Sequence, residues 1–381
     1  MRHESLLNSD WHSVVRRLGG AKSLEASARR SGAFTRARAV RCGVDLLRLA
    51  LAYCLSHAGL RTTAAWAEGV GLARLSNVAL LGRLRSMAPW LETLVGDLLS
   101  RELAKRVAVK GRPIRLVDAT TVPRAGKLGR DSGGVWRVHA AFDLPHDRFS
   151  LFELTSEVEG ERLDRAPVVE GEIRIADRGY LHVVHLRTVL AAGADIIIRA
   201  GWRQVRWLDG EGGNVDLIGL FEKSRSGRID REIWARQGSA PALRLRLIAV
   251  RKPQAQATAA RARARRDASG RGRDIMPGTL AAAGWMILLT SLDKADYPTD
   301  KVLALYRLRW RIEVAFKRLK SLVGLNGPPG EDAAVAKAHV LCHLLAILLT
   351  EPLADALGDS PRSAPVHALT SGVPSASSPQ P

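Results

Sequence analysis

A chain of 381 residues, 46% hydrophobic and 25% charged, carries enough apolar material for a sizeable core in two or three domains, which excludes a disordered or low-complexity protein. Lys and Arg number 58 against 38 Asp and Glu, a formal net charge of +20, and that excess favours a polyanionic partner, nucleic acid first. The start MRHESLLNSD holds no apolar signal segment and no uncharged apolar run reaches about 18 residues, so neither export nor a membrane span is expected.

Residues 1–108 read as an all-helical N-terminal domain that binds DNA. Val44–Leu55 has the pattern of a buried helix, a second helix starts at Thr62 or Thr63 and runs through Val70, and Ser76–Met87 follows a break at Gly71. Short helices with small-residue turns permit a helix-turn-helix, and a plain bundle equally. Trp66 and Trp90 are expected in the core. The basic run Arg29, Arg30, Arg36, Arg38 and Arg41 suits phosphate contact or a solvated face. Cys42, Cys54 and Cys342 show no CxxC and no metal spacing, so buried free thiols in a reducing, cytoplasmic compartment are expected.

From about 109 to 200 the pattern changes to strands. Ile114–Val117 leads into Asp118. Trp136–Phe142 and Phe149–Thr155 form a hairpin, with Asp143, His146 and Asp147 as its turn chemistry. Ile173–Ala176 ends on Asp177-Arg178-Gly179-Tyr180, a helix covers roughly His182–Ala191, and Ala194–Arg199 is a further strand. Two apolar strands thus each deliver one carboxylate as they end.

Residues 201–278 read as a β-rich insertion, with strands over Trp202–Leu208, Val215–Leu220, Arg228–Trp234 and Leu243–Ala249. Its last part, Ala259–Arg266, is a helical run of arginines suited to phosphate. Residues 279–350 return to core character: the strand Gly284–Thr290, a long helix, and a second helix Ala333–Leu349. Residues 351–381 have no periodicity and are expected to be disordered.

The long helix, Asp300 to Leu325, is the stretch that carries chemistry. Leu305, Leu308, Ile312, Ala315, Leu319 and Leu322 make one apolar stripe, with Thr299 or Asp300 as the cap and Gly324 as the stop. Tyr306, Arg309, Glu313 and Lys320 share an arc of roughly 60° on another face. Two strand-borne aspartates and one helical glutamate are what a two-metal phosphoryl-transfer site needs, since hard divalent ions take oxygen ligands and leave room for water and phosphate. There is no His/Cys cluster for zinc and no Walker or GxSxG motif.

At these residues the chain resembles the DDE transposases of bacterial insertion sequences, insertion-sequence-four type. Tyr306-x2-Arg309-x3-Glu313-x6-Lys320 matches the YREK signature, and Asp118-Ala-Thr-Thr and Asp177-Arg-Gly-Tyr match the two upstream motifs. The resemblance implies an α/β, RNase H-like mixed sheet flanked by helices, interrupted by the β-rich insertion. It implies that Asp118, Asp177 and Glu313 hold two Mg²⁺ ions, with Mn²⁺ able to substitute. Tyr306, Arg309, Lys320 and Arg178 would contact DNA, and Trp285 would stack on a flipped base. The partners implied are double-stranded DNA, as terminal inverted repeats and target, and a second copy in a homodimeric synaptic complex. One departure stands out: the part after Gly324 is short and its Ser/Pro-rich tail is unlike the family. That leaves a second reading, a truncated or defective copy that binds DNA and regulates.

Overall fold

A computed structural model describes residues 11–56, 58–104, 111–123, 135–144, 148–156, 158–313, 316–317 and 332–356. Its centre is one nine-stranded sheet. The strands are β1 (Ile114–Pro123), β2 (Val135–Asp143), β3 (Arg148–Ser156), β4 (Ile173–Ala176), β5 (Asp195–Arg199), β6 (Arg206–Leu208), β7 (Arg228–Arg236), β8 (Leu243–Arg251) and β9 (Trp285–Thr290). Their order is β3-β2-β1-β4-β5-β9-β8-β7-β6. β1, β4 and β5 are mutually parallel, and every other neighbour is antiparallel. This mixed sheet with a β1–β3 meander at one edge is the RNase H-like architecture that the resemblance implies.

Alternation along the strands divides the core. Ile114, Leu116, Ile173, Ile175 and Ile197 point to one face. Val117, Ala176, Ile196 and Ile198 point to the other. The first face is covered by the helices α1 (Trp11–Arg17), α2 (Gly20–Arg30), α3 (Gly43–Leu55), α4 (Leu60–Gly69), α5 (Asn77–Arg85) and α6 (Ala88–Ala104), and by late ones described below. The N-terminal helices therefore share one core with the sheet. α4 and α5 are two members of that bundle. Trp90 is buried with its indole N–H donated to Ser27 Oγ at 2.9 Å, and Trp66 is half-buried against the same core. Arg29, Arg30, Arg36, Arg38 and Arg41 are all exposed.

The second face is covered by α7 (Val183–Ala191), α8 (Leu217–Lys223), part of α9 (Gln254–Ser269) and α10 (Pro277–Ala283). Here the structure corrects the sequence reading. Val215–Leu220 is not a strand: Asp216 caps α8 by accepting from the Ile218 N–H at 3.0 Å. Of Trp202–Leu208 only the last three residues are strand. The strands of the insertion also do not form a sheet of their own. β6, β7 and β8 continue the central sheet through β9.

The long helix is also not continuous. α11 (Thr299–Arg307) ends in a tightened turn, in which Leu308, Arg309 and Arg311 N–H groups donate to Leu305, Tyr306 and Leu308 carbonyls three residues back. Residues 310–313 then resume the helix. The apolar period runs unbroken through such a turn, which is why the sequence conceals it. The cap is Pro298, and neither Thr299 nor Asp300 serves. The Thr299 hydroxyl donates to Asp230 at 2.7 Å, and Asp300 pairs with Arg228 at 3.0 Å. The last helix, α12 (Ala333–Ala356), runs past Leu349. Its stretch Ala333–Thr350 is long and apolar enough to cross a membrane by composition alone, yet it is mostly buried within the fold. Residues 357–381 of the expected tail, and the expected stop at Gly324, lie outside the described residues.

Two strands that look apolar carry buried arginines. Arg115 pairs with Asp143 at 2.8 Å and Glu172 at 3.1 Å; Arg174 bonds Glu172 at 2.5 Å and the carbonyls of Leu163, Ala166 and Pro167. Asp143 is thus not turn chemistry. It is a buried member of an ion network that clamps the chain between β3 and β4 to the sheet.

Candidate active site

Asp118 and Asp177 are placed by register. Val117 faces Ala176 in the last pair of the parallel β1–β4 ladder, so the two acids follow side by side on strands roughly 4.8 Å apart. By alternation both leave on the face that carries α11. β1 does not end at Asp118; it continues to Pro123 against β2. Asp177 does mark an end, as the residue before the single 3₁₀ turn Arg178–Tyr180.

α11 and the turn after it bring three more groups to the acids. The Tyr306 hydroxyl donates to Asp177 Oδ1 at 3.5 Å. Arg309 reaches both ways: Nη1 lies 3.8 Å from Asp118 Oδ2, and Nη2 donates to Glu313 Oε1 at 2.5 Å. One guanidinium thus stands between the first and third carboxylates. Arg199, at the end of β5, adds a cation 3.6 Å from Asp177.

The electrostatics follow from burial. Desolvation pushes the Asp118 carboxyl up to about 6; the Ala119 N–H at 2.8 Å and Arg309 hold it down, while Asp177 and Glu161 push it further up. Burial and the Asp177 charge push the Tyr306 hydroxyl up to about 12, so it stays a donor. Burial works against the Arg309 charge, but Tyr306, Asp177 and Glu313 keep it above the usual range.

Among the described residues, no three His, Cys, Asp or Glu side chains converge on one metal-sized point. Asp118, Asp177 and Glu313 are engaged by Arg309, Arg199 and Tyr306 instead. Their chemistry nonetheless fits a hard divalent ion: three oxygen donors, no thiolate, no imidazole, two of them fixed to adjacent strands.

The remaining expected site residues divide. Arg178 is exposed and makes no ion pair among the described residues, leaving it free for phosphate. Trp285 is only 7% exposed; it stacks on Phe221 at 4.7 Å, Arg251 lies 5.2 Å over its ring, and it packs in the core on the opposite face of the sheet from the acids. As packed, neither of its faces is open to a base. Lys320 lies outside the described residues.

Four residues escaped the sequence reading. Arg199 had a signal, since ADIIIR is an apolar run closed by a charge, like the runs that precede Asp118 and Asp177. Lys252 donates to the Ala283 carbonyl at 2.8 Å; burial first, then the charges of Arg199, Arg178 and Arg263, lower its pKa. Trp310, beside Arg309, is 56% exposed and is the large aromatic nearest in sequence to the site that faces solvent. Glu161 comes from the polar loop after β3, where spacing gives no hint of what it meets.

Two aspartates on adjacent parallel strands, with a glutamate on a helix laid over them, define a DDE nucleic-acid strand-transfer fold. The chain belongs to the DDE transposases of insertion sequences: residues 109–349 match the family's "Transposase DDE domain". It is 38% identical over 365 residues to "Putative transposase InsL for insertion sequence element IS186A" of Escherichia coli (strain K12), covering 94% of this chain and 97% of that protein. It is also 38% identical over 366 residues to "Transposase for insertion sequence element IS421" of Escherichia coli, with the same coverage. Members of the family work with divalent metal ions. The second reading, a truncated copy, finds no support in these matches.

Proposed function

We propose that this chain cuts DNA at the ends of its own insertion sequence and joins the freed ends to target DNA. Asp118, Asp177 and Glu313 are the carboxylates, and Mg²⁺, as two ions replaceable by Mn²⁺, is the cofactor. The observation that supports this most is the single guanidinium of Arg309 standing between Asp118, at 3.8 Å, and Glu313, 195 positions later and bonded at 2.5 Å, with Asp177 following beside Asp118 on the neighbouring strand. Divalent ions held there would lower the pKa of water and stabilise the leaving oxygen in phosphoryl transfer.

The chain's own groups have separable tasks. Asp118 and Asp177, on rigid strands, fix the position of the charge that faces the phosphate. Arg309 and Tyr306 exchange their carboxylate partners for DNA phosphate, a bidentate match for guanidinium. Arg178, Lys252 and Arg199 extend a positive surface from the acids toward the insertion, along which the backbone of DNA lies. Lys320, by its place in the signature, contacts DNA as well. Trp310 offers an exposed π-face at the cut, and Trp285 serves a flipped base only if Arg251 swings off its ring. The helical domain 1–108 and the arginine-rich α9 hold DNA farther away, in a homodimer that pairs two ends, within the bacterial cytoplasm.

The test is cleavage of a supercoiled plasmid carrying the element's ends, in Mg²⁺ or Mn²⁺, beside Glu313→Gln. Cleavage at the ends that disappears in the variant, with end binding retained, is the expected result. Cleavage that survives in Glu313→Gln would refute the assignment.

A further inference from the structure

α11 brings Tyr306 and Arg309 to the acids, yet little in its own sequence fixes where it starts. It has nine residues, too few to hold a helix together alone in water. Its cap, Pro298, gives the first turn no side-chain bond. The start is held from outside, by the insertion. Arg228 and Asp230 are two positions apart on β7 and so share a face. Asp230 lies opposite Ile248 of β8, which packs with the face of the acids. Arg228 pairs with Asp300 at 3.0 Å, but both side chains are exposed and such a pair contributes little. Asp230 is the stronger tie: it accepts from the Thr299 hydroxyl at 2.7 Å, with its side chain only 16% exposed.

The carboxylate of Asp230 is itself immobilised. Arg246 of β8, which is buried, donates to both of its oxygens at 2.8 Å and, through Nη1, to the Tyr297 carbonyl at 2.7 Å. One guanidinium thus grips both β7 and the loop that leads from β9 into α11. Arg246 foremost, then Thr299, holds the Asp230 carboxyl down to about 2 against the effect of burial. Thr299 and Tyr306 are seven residues apart, which is two turns, about 10.5 Å along one line of the helix. At the far end of that line the Tyr306 hydroxyl meets Asp177 at 3.5 Å, and the turn after it puts Arg309 3.8 Å from Asp118.

We propose that Asp230 is a positioning residue for strand cleavage: through the Thr299 hydroxyl it holds the start of α11 against the insertion, and so sets where Tyr306 and Arg309 stand over Asp177 and Asp118. This rests on the reading of those acids as a strand-transfer site. It gives the insertion, whose β8 is followed directly by the arginine-rich α9, a part in aligning the site as well as in holding DNA.

Single-turnover cleavage of DNA carrying the element's ends, at saturating protein in Mg²⁺, tests it, beside end affinity measured by fluorescence anisotropy. Native chain, Glu313→Gln, Thr299→Val, Thr299→Ser and Asp230→Asn are compared. Thr299→Val removes the hydroxyl and leaves the Asp230–Arg246 pair whole, so it cuts the tether alone. It is expected to slow cleavage about tenfold or more while end affinity stays within about twofold of native. Thr299→Ser, which restores the hydroxyl, is expected to cleave near the native rate, and Asp230→Asn to be slowed at least as much as Thr299→Val. Should Asp230→Asn fail to fold, because Arg246 loses its charge partner, the two Thr299 variants decide. Native-rate cleavage by Thr299→Val, equal slowing in Thr299→Val and Thr299→Ser, or affinity falling in step with rate would each overturn the proposal. With native cleavage abolished in Glu313→Gln, any of these leaves the three-acid reading standing. No cleavage by the native chain, or cleavage that survives in Glu313→Gln, would overturn both.

Discussion

Asp118→Asn should make the metal-free protein more stable while it removes activity. The native carboxyl is pushed from 3.8 to about 6 by burial, and its side chain is 19% exposed, so little solvent screening discounts the effect. In the unfolded chain the group ionises near 3.8; in the fold it holds its proton until about 6. Between those values the folded state binds more protons, so this group's contribution falls as pH rises. Above pH 6 it costs the fold on the order of 3 kcal/mol. Asparagine keeps an oxygen for the Ala119 N–H, bonded at 2.8 Å in the native chain, and drops the charge. Urea denaturation in chelator at pH 8 is therefore expected to show the variant more stable by about 3 kcal/mol, and the gap to shrink to roughly half at pH 5. The difference between the two proteins is the quantity to follow, because His139 moves the native curve the other way. A variant no more stable than native at pH 8, or a gap that ignores pH, would refute the reasoning.

His139 is buried and its ring is lowered from 6.5 to about 4 by burial, then by Arg165 and Arg137. The unfolded chain takes up its proton first, so stability is lost as pH falls from 6.5 toward 4, by about 3 kcal/mol in full; His139→Asn should flatten that acid limb in the same denaturation series. Glu172→Ala leaves Arg174, fully buried, and Arg115, 5% exposed, without their shared acid, and a loss of about 3–5 kcal/mol is expected; an unchanged urea midpoint would show that the network is dispensable. Binding to end DNA should weaken steeply between 50 and 200 mM salt, as a chain of net charge +20 making many phosphate contacts releases counterions; an affinity flat over that range, measured by fluorescence anisotropy, would count against a phosphate-led interface.

How much of this could be read from the residues alone depends on whether the signal was local. Asp118 and Asp177 were legible because a short, mostly apolar run followed by an acid is visible in five letters, although β1 itself continues to Pro123. Tyr306, Arg309 and Glu313 were legible from helical spacing, even though the turn at Leu308 tightens, because three residues either side of it keep nearly the same face. Trp285 was expected at a flipped base from the resemblance alone, and strand parity supplies what the resemblance did not, its face: Met286 packs with the face of the acids and Trp285 with the opposite one. α8 was misread because Val215–Leu220 alternates in part and its cap, Asp216, also passes for a turn residue. The Arg115–Asp143–Glu172–Arg174 network and the hold of Asp230 on Thr299 are long-range, and no window along the chain contains them.

The fusion of insertion and core into one sheet has a mechanical consequence. Neighbouring strands repeat at about 4.8 Å, so β8 lies four strands, and β6 six strands, from the β1 that bears Asp118, or up to about 19 and 29 Å measured along the sheet. That span corresponds to roughly six to eight steps of duplex. Because hydrogen-bonded ladders join every strand in between, the distance cannot stretch without unzipping the sheet. The sheet is a ruler: if the insertion grips the duplex as proposed, the phosphate presented to the acids is fixed by counting strands.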